Sequence, residues 1–163
     1  MKSFVNSIVL VACGVLLGVI GTERMLAQQR GVRVNHVGVT VKNMNESIAF
    51  YTKVMGYREA FTLRDANGNA TLSAMQISRD TFLELAPANP TRPIGFSHVG
   101  IEADDIAALV AQLRQAGTQA ADPRVLENSG VSVTSVTDPN GLRVEFLQLN
   151  PGSLHRQAVD SWK

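Results

Sequence analysis

From about residue 34 to residue 149 the chain contains one unit twice, and this duplication limits the possible folds more than any other feature. The segment Asn35-His36-Val37-Gly38-Val39 returns 62 residues later as Ser97-His98-Val99-Gly100-Ile101. Likewise, Leu83-Glu84-Leu85 returns 61 residues later as Val144-Glu145-Phe146. Two copies are too few for a solenoid array, so the repeat indicates a domain made of two similar halves.

Residue patterning within each copy predicts one strand, one helix and three further strands. Val34–Val41 alternates as a strand with one buried face does, and Asn43 followed by Glu46 forms a capping pattern before a helix that Gly56 ends. The second copy repeats this order, with its first strand at Phe96–Ala103. The other predicted strands are 57–64, 70–77 and 81–87 in the first copy and 119–126, 131–137 and 143–149 in the second. This order indicates an α+β fold.

Two histidines and two glutamates occupy matching places in the two copies. His36, Glu84, His98 and Glu145 each lie on the strand face opposite their apolar neighbours. If those neighbours pack on the helices, the four polar side chains share the other face of the sheet. Two imidazoles and two carboxylates facing one concave surface form a ligand set for divalent zinc, nickel, cobalt, iron or manganese. The sequence therefore predicts one divalent metal ion held by these four residues.

The charge and cysteine content exclude several other classes of protein. With 15 basic and 14 acidic residues the formal net charge is +1, which offers no basic surface for nucleic acid. Cys13 is the only cysteine, so neither an intrachain disulfide nor a cysteine-based zinc site can form. What remains is an ordinary globular domain for which nucleic acid is not an expected partner.

Residues 1–29 are interpreted as a signal peptide or membrane anchor that precedes the domain. Lys2 is followed by an uninterrupted run of apolar residues and glycine from Ile8 to Ile20, which is short for a membrane span but suits a signal-peptide core. Cleavage after Ala27, lipidation at Cys13 and retention as an uncleaved anchor all stay open. We expect an exported protein, periplasmic or anchored to the bacterial inner membrane, that touches the membrane only through this segment.

The duplicated unit resembles the vicinal oxygen chelate superfamily, which includes glyoxalase I, methylmalonyl-CoA epimerase, extradiol dioxygenases and bleomycin-resistance proteins. The motifs that carry the resemblance to its first strand and helix are His36-Val37-Gly38-Val39, Ser47-Ile48-Ala49-Phe50-Tyr51 and Met55-Gly56-Tyr57. The motif Asp138-Pro139-Asn140-Gly141, followed by Val144-Glu145, is similar to the last hairpin of the family.

This resemblance implies a particular fold and metal site. The domain would cover residues 33–149, and its modules, 33–88 and 94–149, would form an open, cup-shaped β-barrel around one divalent metal ion. The metal ligands would be His36, Glu84, His98 and Glu145, a set that looks like that of bacterial glyoxalase I. Nickel, cobalt or zinc is favoured, and iron or manganese is compatible. The family also implies a homodimer.

The implied activity is that of a lyase or isomerase that acts on a small oxygenated molecule through a metal-stabilised enolate. Glu145 is the first candidate for the catalytic base and Glu84 the second. Glyoxalase I carries an arginine where this chain has Thr40 and an asparagine where it has Ala88, which leaves glutathione open as a substrate.

Other activities of the superfamily stay open as alternatives. An extradiol dioxygenase would hold Fe(II) with only His36, His98 and Glu145, leaving positions for catechol and oxygen. A resistance-type protein would bind a small molecule without metal or catalysis. An epimerase of coenzyme A thioesters fits the motifs about as well, but its substrates are cytosolic.

The C-terminal tail, residues 150–163, lies outside the resemblance. Leu154, Ala158 and Trp162 are four residues apart and predict a short amphipathic helix that covers a sheet edge or a partner. His155 in this tail is expected to be exposed to solvent.

Overall fold

A computed structural model describes residues 31–163 of the chain. The signal or anchor segment predicted at residues 1–29 lies outside the described residues. Within residues 31–163, no helix is both long enough and apolar enough to cross a membrane.

The strands and helices follow the order that the duplication predicts. The strands are β1 (Val32–Val41), β2 (Arg58–Arg64), β3 (Ala70–Ser78), β4 (Thr81–Pro87), β5 (Gly95–Ala103), β6 (Arg124–Val125), β7 (Ser132–Thr137) and β8 (Arg143–Gln148). The helices are α1 (Met44–Lys53), α2 (Ile106–Gln115) and α3 (Leu154–Asp160). Strand, helix and three strands therefore occur twice, and α3 follows the second copy.

The strands form one mixed sheet of eight in the order β2-β3-β4-β1-β5-β8-β7-β6. Within each module the first and last strands are parallel, β1 with β4 and β5 with β8, and the remaining pairs within the modules are antiparallel. The modules meet at β1 and β5, the two central strands. The predicted cup-shaped barrel is therefore an open sheet, because β2 and β6 are left as its two edges.

The first two helices begin at the predicted type of cap. The side chain of Asn43 accepts a hydrogen bond from the amide of Glu46, and that of Asp105 accepts one from the amide of Ala108. Each cap satisfies an amide that the first helical turn leaves without a partner. Helix α1 packs against β3 and β4, and α2 packs against β8.

Strand β6 is much shorter than predicted. The sequence predicts a strand over residues 119–126, whereas only Arg124 and Val125 pair, with Val133 and Ser132 of β7. Pro123 precedes the pair and has no amide to donate, so it cannot extend the ladder toward its N-terminal side. The sheet therefore ends in a short edge at the second module.

Helix α3 is part of the main hydrophobic core. Ala158 and Val159 are buried in a cluster with Phe82 of the first module and with apolar side chains of β7 and β8. The predicted stripe of Leu154, Ala158 and Trp162 is therefore wrong in part, because the buried side chains of α3 are His155, Ala158 and Val159. Trp162 is 37% exposed and stacks against the guanidinium of Arg58 on the edge strand β2.

Candidate metal centre

The four predicted ligands lie on one face of the four middle strands of the sheet, with the histidines on β1 and β5 and the glutamates on β4 and β8. In the parallel pair β1–β4, Glu84 stands directly opposite Gly38, and in β5–β8, Glu145 stands opposite Gly100. Partners in a ladder point to the same face of a sheet, so each carboxylate is directed over a glycine.

The two glycines leave the space that the histidine rings fill. A Cβ atom at Gly38 would lie 2.2 Å from Cε1 of His98, and one at Gly100 would lie 2.1 Å from Cε1 of His36. Such distances are far below any van der Waals contact, so any side chain at these two positions would displace a histidine ring. The repeated His-Val-Gly segment therefore places each ring over the glycine of the other copy.

The structure brings all four side chains together. The Nε2 atoms of His36 and His98 are 2.9 Å apart, and Nε2 of His36 is 3.5 Å from Oε2 of Glu84. Oε1 of Glu145 lies 3.7 Å from Nε2 of His36 and 3.9 Å from Nε2 of His98. Among them, His36, Glu84 and His98 each offer one ligand atom within 4.8 Å of the others. All three are buried, and only 12% of the Glu145 side chain is exposed.

A chain of hydrogen bonds fixes which nitrogen of His36 faces this cluster. Nδ2 of Asn35 donates to a carboxylate oxygen of Glu102, which can only accept, so the amide oxygen of Asn35 faces Nδ1 of His36 at 3.0 Å. Nδ1 must then carry the hydrogen, and Nε2 of the neutral ring presents its lone pair to the cluster. Glu102 is held in turn by an ion pair with Arg33.

His98 has a simpler support of the same kind. Its Nδ1 lies 3.1 Å from the hydroxyl of Ser97, which occupies the place that Asn35 has in the first copy. The Ser97 hydroxyl can accept a hydrogen bond from this Nδ1, and two Nε2 lone pairs would then face each other at 2.9 Å beside two carboxylates. A bound cation would turn this repulsion into attraction, so the donor set fits a divalent metal ion.

The two carboxylates have pKa values shifted in opposite directions. Burial alone would raise the pKa of Glu84, but His36, His155 and His98 outweigh it and lower that pKa to about 2. Burial raises the pKa of Glu145 above its ordinary value despite the opposing effect of Arg143. Burial, with the neighbouring His36 and Arg143, lowers the pKa of His98 to about 4. Near neutral pH, Glu84 is therefore a fixed charge, whereas Glu145 is closer to exchanging a proton.

A cavity of about 330 Å³ opens next to the cluster. Both modules of the one chain line it, with Glu84, His98, Glu145 and His155 among the lining residues. The apolar part of its wall includes Phe61, Leu63 and Leu72 from the first module and Leu126, Val131 and Leu147 from the second. Two arginines, Arg92 and Arg143, also reach this cavity, and Arg143 pairs with Oε2 of Glu145. The site thus suits a small, partly apolar molecule with oxygen groups directed at the cluster.

His155 is the main residue of the site that the sequence does not predict. The expectation that it is solvent-exposed is wrong: it is 2% exposed, and its Nε2 lies 3.2 Å from Oε1 of Glu84. It comes from the tail, which has no second copy, so the repeat contains no signal for it. Asn35 and Ser97 were also missed, although a polar residue before each histidine of a valine-rich strand was a visible sign.

Known proteins are similar to this chain over most of the domain. A family model described as "Glyoxalase/Bleomycin resistance protein/Dioxygenase superfamily" matches residues 33–146. A lactoylglutathione lyase of Neisseria meningitidis is 25% identical over 129 residues, which span 74% of this chain and 94% of that protein. A probable lactoylglutathione lyase of Vibrio parahaemolyticus is 28% identical over 126 residues, 71% of this chain and 90% of that protein.

Solved structures of epimerases share the fold. A variant of methylmalonyl-CoA epimerase from Streptomyces coelicolor, bound to 2-nitronate-propionyl-CoA, superposes with a TM-score of 0.63 at 18% identity. The match covers 76% of this chain and 98% of that one. The epimerase of Mycobacterium tuberculosis gives a TM-score of 0.62 at 16% identity, covering 74% of this chain and 89% of that one. At these identities the likeness shows the fold alone.

Proposed function

Since the chain belongs to the glyoxalase/bleomycin resistance protein/dioxygenase superfamily, we propose that it is a divalent-metal-dependent lyase or isomerase of glyoxalase type. It acts on a small oxygenated molecule by moving a proton at a carbon next to a carbonyl group. His36, Glu84, His98 and Glu145 hold the metal ion, and the identity of the ion, with nickel, cobalt or zinc favoured, belongs to the proposal.

One observation carries this proposal: two imidazole Nε2 atoms 2.9 Å apart are flanked by two carboxylates whose pKa values are shifted in opposite directions. A pair of carboxylates separated in this way supports two different roles. Glu84 stays ionised and serves best as a permanent ligand. Glu145, whose pKa burial raises, is the better candidate for proton transfer.

The reaction is a transfer of one proton within the substrate. Glu145 takes the proton from a carbon next to the carbonyl, and the electron pair left behind is delocalised onto the carbonyl oxygen. The same carboxyl group then returns the proton to the former carbonyl carbon. A hydroxyl group on the donor carbon gives its proton to the former carbonyl oxygen and becomes the new carbonyl, so the substrate gains and loses no atoms. A bound divalent cation would supply Lewis-acid stabilisation of the charge that develops on oxygen. Arg143, on Oε2, keeps the other carboxylate oxygen directed at the cluster.

The lyase relatives are named for lactoylglutathione, but three positions support a different substrate for this chain. Thr40, in place of an arginine that would hold a glutathione carboxylate, is buried with 2% of its surface exposed. Ala88 has no side-chain amide to bind a substrate. The side chain of Asn89 accepts hydrogen bonds from Thr91 and Arg92 of its own turn. We therefore propose an oxygenated substrate without the glutathione moiety.

Export and self-association also belong to the proposal. Lys2 and the apolar run from Ile8 to Ile20 support export to the periplasm or anchoring to the inner membrane. Two neighbouring apolar side chains at the start of β5, Ile94 and Phe96, are 63% and 56% exposed, which supports a homodimer that covers them. Both modules of one chain already line the cavity.

The test is exchange of carbon-bound hydrogen with solvent. Metal-loaded protein in D₂O is incubated with lactoylglutathione, with the lactoyl thioester of a small uncharged thiol and with α-hydroxy ketones, and NMR follows the hydrogen next to each carbonyl. We expect metal-dependent exchange in the small substrates and little in lactoylglutathione, with exchange lost in Glu145→Gln. Absence of both solvent exchange and isomerisation in every compound by fully loaded protein would contradict the proposed proton transfer.

A further inference from the structure

We infer that helix α3, outside the residues that the family model matches, is a working part of the metal centre and that His155 is a positioning residue for Glu84. This inference rests on the proposed metal site and assigns a role to a residue of the tail. The family match ends at residue 146, and α3 begins at Leu154.

The first step is the position of the Glu84 carboxylate between two imidazoles. Its Oε2 atom lies 3.5 Å from Nε2 of His36, and its Oε1 atom lies 3.2 Å from Nε2 of His155. One oxygen therefore faces the cluster and the other faces α3. A ligand carboxylate held by a second partner in this way loses rotational freedom, which favours metal binding.

The second step is that His155 itself has little room to move. Its ring makes edge contacts with Phe61 and Phe82, at centroid distances of 4.8 Å and 5.0 Å, and stacks on His36 at 6.2 Å. The helix that carries it is fixed at its end by Arg58, whose guanidinium donates to the carbonyl of Ala158 at 2.7 Å.

The third step concerns the choice of histidine at this place. Both ring nitrogens of His155 are buried and, among the described residues, neither makes a hydrogen bond of good geometry, although Nε2 lies 3.2 Å from Oε1 of Glu84. Burying polar atoms in this state costs free energy that a phenylalanine in the same aromatic surroundings would not cost. A polar ring therefore brings no benefit to packing here, and Glu84 is the group that it serves.

The fourth step is that Arg156, the next residue of α3, supports His36 indirectly. Nη2 of Arg156 lies 3.8 Å from Oε1 of Glu102, the carboxylate that holds Asn35 against His36. Two consecutive residues of α3 thus reach both first-module ligands, Glu84 directly and His36 through two side chains. In the second module the supporting side chains come from the strands of the ligands themselves. Ser97 contacts His98 on β5, and Arg143 pairs with Glu145 on β8.

The test measures the affinity of the purified full-length protein for Zn²⁺, by competition with a chromogenic chelator, and the Tm of the metal-free protein. His155→Phe keeps the aromatic packing and removes both nitrogens, whereas His155→Gln keeps a polar group near Glu84. Val159→Ala is the matched control, because this residue is buried on the same helix in the hydrophobic cluster.

We expect His155→Phe to bind Zn²⁺ about 10- to 100-fold more weakly than the unaltered chain, with an equal or higher metal-free Tm. His155→Gln should retain most of the affinity, and Val159→Ala should lower the Tm while it leaves the affinity unchanged. Wild-type affinity in His155→Phe, or an equal loss in Val159→Ala, would overturn the role of His155 while the metal site stands. An unaltered chain that binds no Zn²⁺ would overturn both the inference and the proposed function.

Discussion

The imidazole of His98 occupies the space above Gly38, so closely that a Cβ atom at residue 38 would meet its Cε1 atom at 2.2 Å. The same relationship holds between His36 and Gly100 at 2.1 Å. Each module therefore supplies a histidine and also the gap that receives the other module's histidine. The two Nε2 atoms come within 2.9 Å of each other because of this reciprocal packing.

Gly38→Ala is expected to displace the ring of His98 and to lower metal affinity by about 10- to 100-fold, because ligands must be held within about half an ångström. Isothermal titration with Zn²⁺ measures the effect. Thr40→Ala is the control, since Thr40 is a buried residue two places further on the same strand face. If Gly38→Ala and the unaltered chain bind Zn²⁺ with equal affinity, metal binding does not require the His98 ring to lie over residue 38.

Glu145→Gln and Glu84→Gln should affect different properties. With its raised pKa, Glu145 is the proposed proton carrier, so Glu145→Gln should lower kcat by about 100- to 10,000-fold while retaining much of the metal. Glu84→Gln removes the charge that stays ionised and should chiefly weaken metal binding. Metal content and solvent exchange, measured on both variants, separate the two roles. A Glu145→Gln variant that keeps full exchange activity would exclude it as the base.

The stability of the metal-free protein should depend on pH through His98. Its pKa is about 4 in the folded protein against an ordinary value of 6.5, so the unfolded chain binds the extra proton between these values. The free energy of unfolding should therefore fall as the pH is lowered from about 6.5 to about 4. Glu84, whose pKa is lowered, adds to this loss of stability only below its ordinary pKa of 4.5. Glu145, whose pKa is raised, opposes the loss, because the folded protein then binds its proton more readily than the unfolded chain.

Urea unfolding in the presence of a chelator at several pH values between 7 and 4 measures this dependence. His98→Gln, which cannot titrate, should give a flatter profile than the unaltered chain. Identical slopes for the two proteins would mean that His98 is not the group responsible.

Asn35→Leu should weaken metal binding by about 10- to 100-fold, because it removes the amide oxygen that fixes the hydrogen on Nδ1 of His36. The change also leaves Glu102 with one donor fewer. Ser97→Ala, the matching substitution in the second copy, should act in the same direction on His98. NMR of the imidazole nitrogens, which reports the tautomer directly, should show mixed tautomers of His36 in Asn35→Leu. A single unchanged tautomer would contradict the proposed support.

The sequence predicts the fold class and the shared face of the four ligands because both follow from short-range periodicity. A strand repeats every two residues, so the positions of His36 and Glu84 relative to their apolar neighbours determine the face that they share. The second copy shows the same pattern around His98 and Glu145, which strengthens the prediction. The element order is confirmed for the same reason, since caps and turns are local.

Features that depend on distant contacts could not be predicted in this way. The contact between His155 and Glu84 joins residues 71 positions apart, and His155 has no counterpart in the repeat. Whether the sheet closes depends on the pairing of β2 and β6 at its edges, which no local pattern specifies. The two-residue strand β6 reflects Pro123, whose missing amide limits the ladder.

The central claim, that these four side chains hold one divalent metal ion, is tested most directly by elemental analysis of protein purified without chelators. The account predicts close to one transition-metal ion per chain, and its loss in the double variant His36→Ala/His98→Ala with the fold retained by circular dichroism. Protein that contains no metal, and takes up none from zinc, nickel, cobalt, iron or manganese solutions, would contradict the account. It would indicate a small-molecule-binding protein instead.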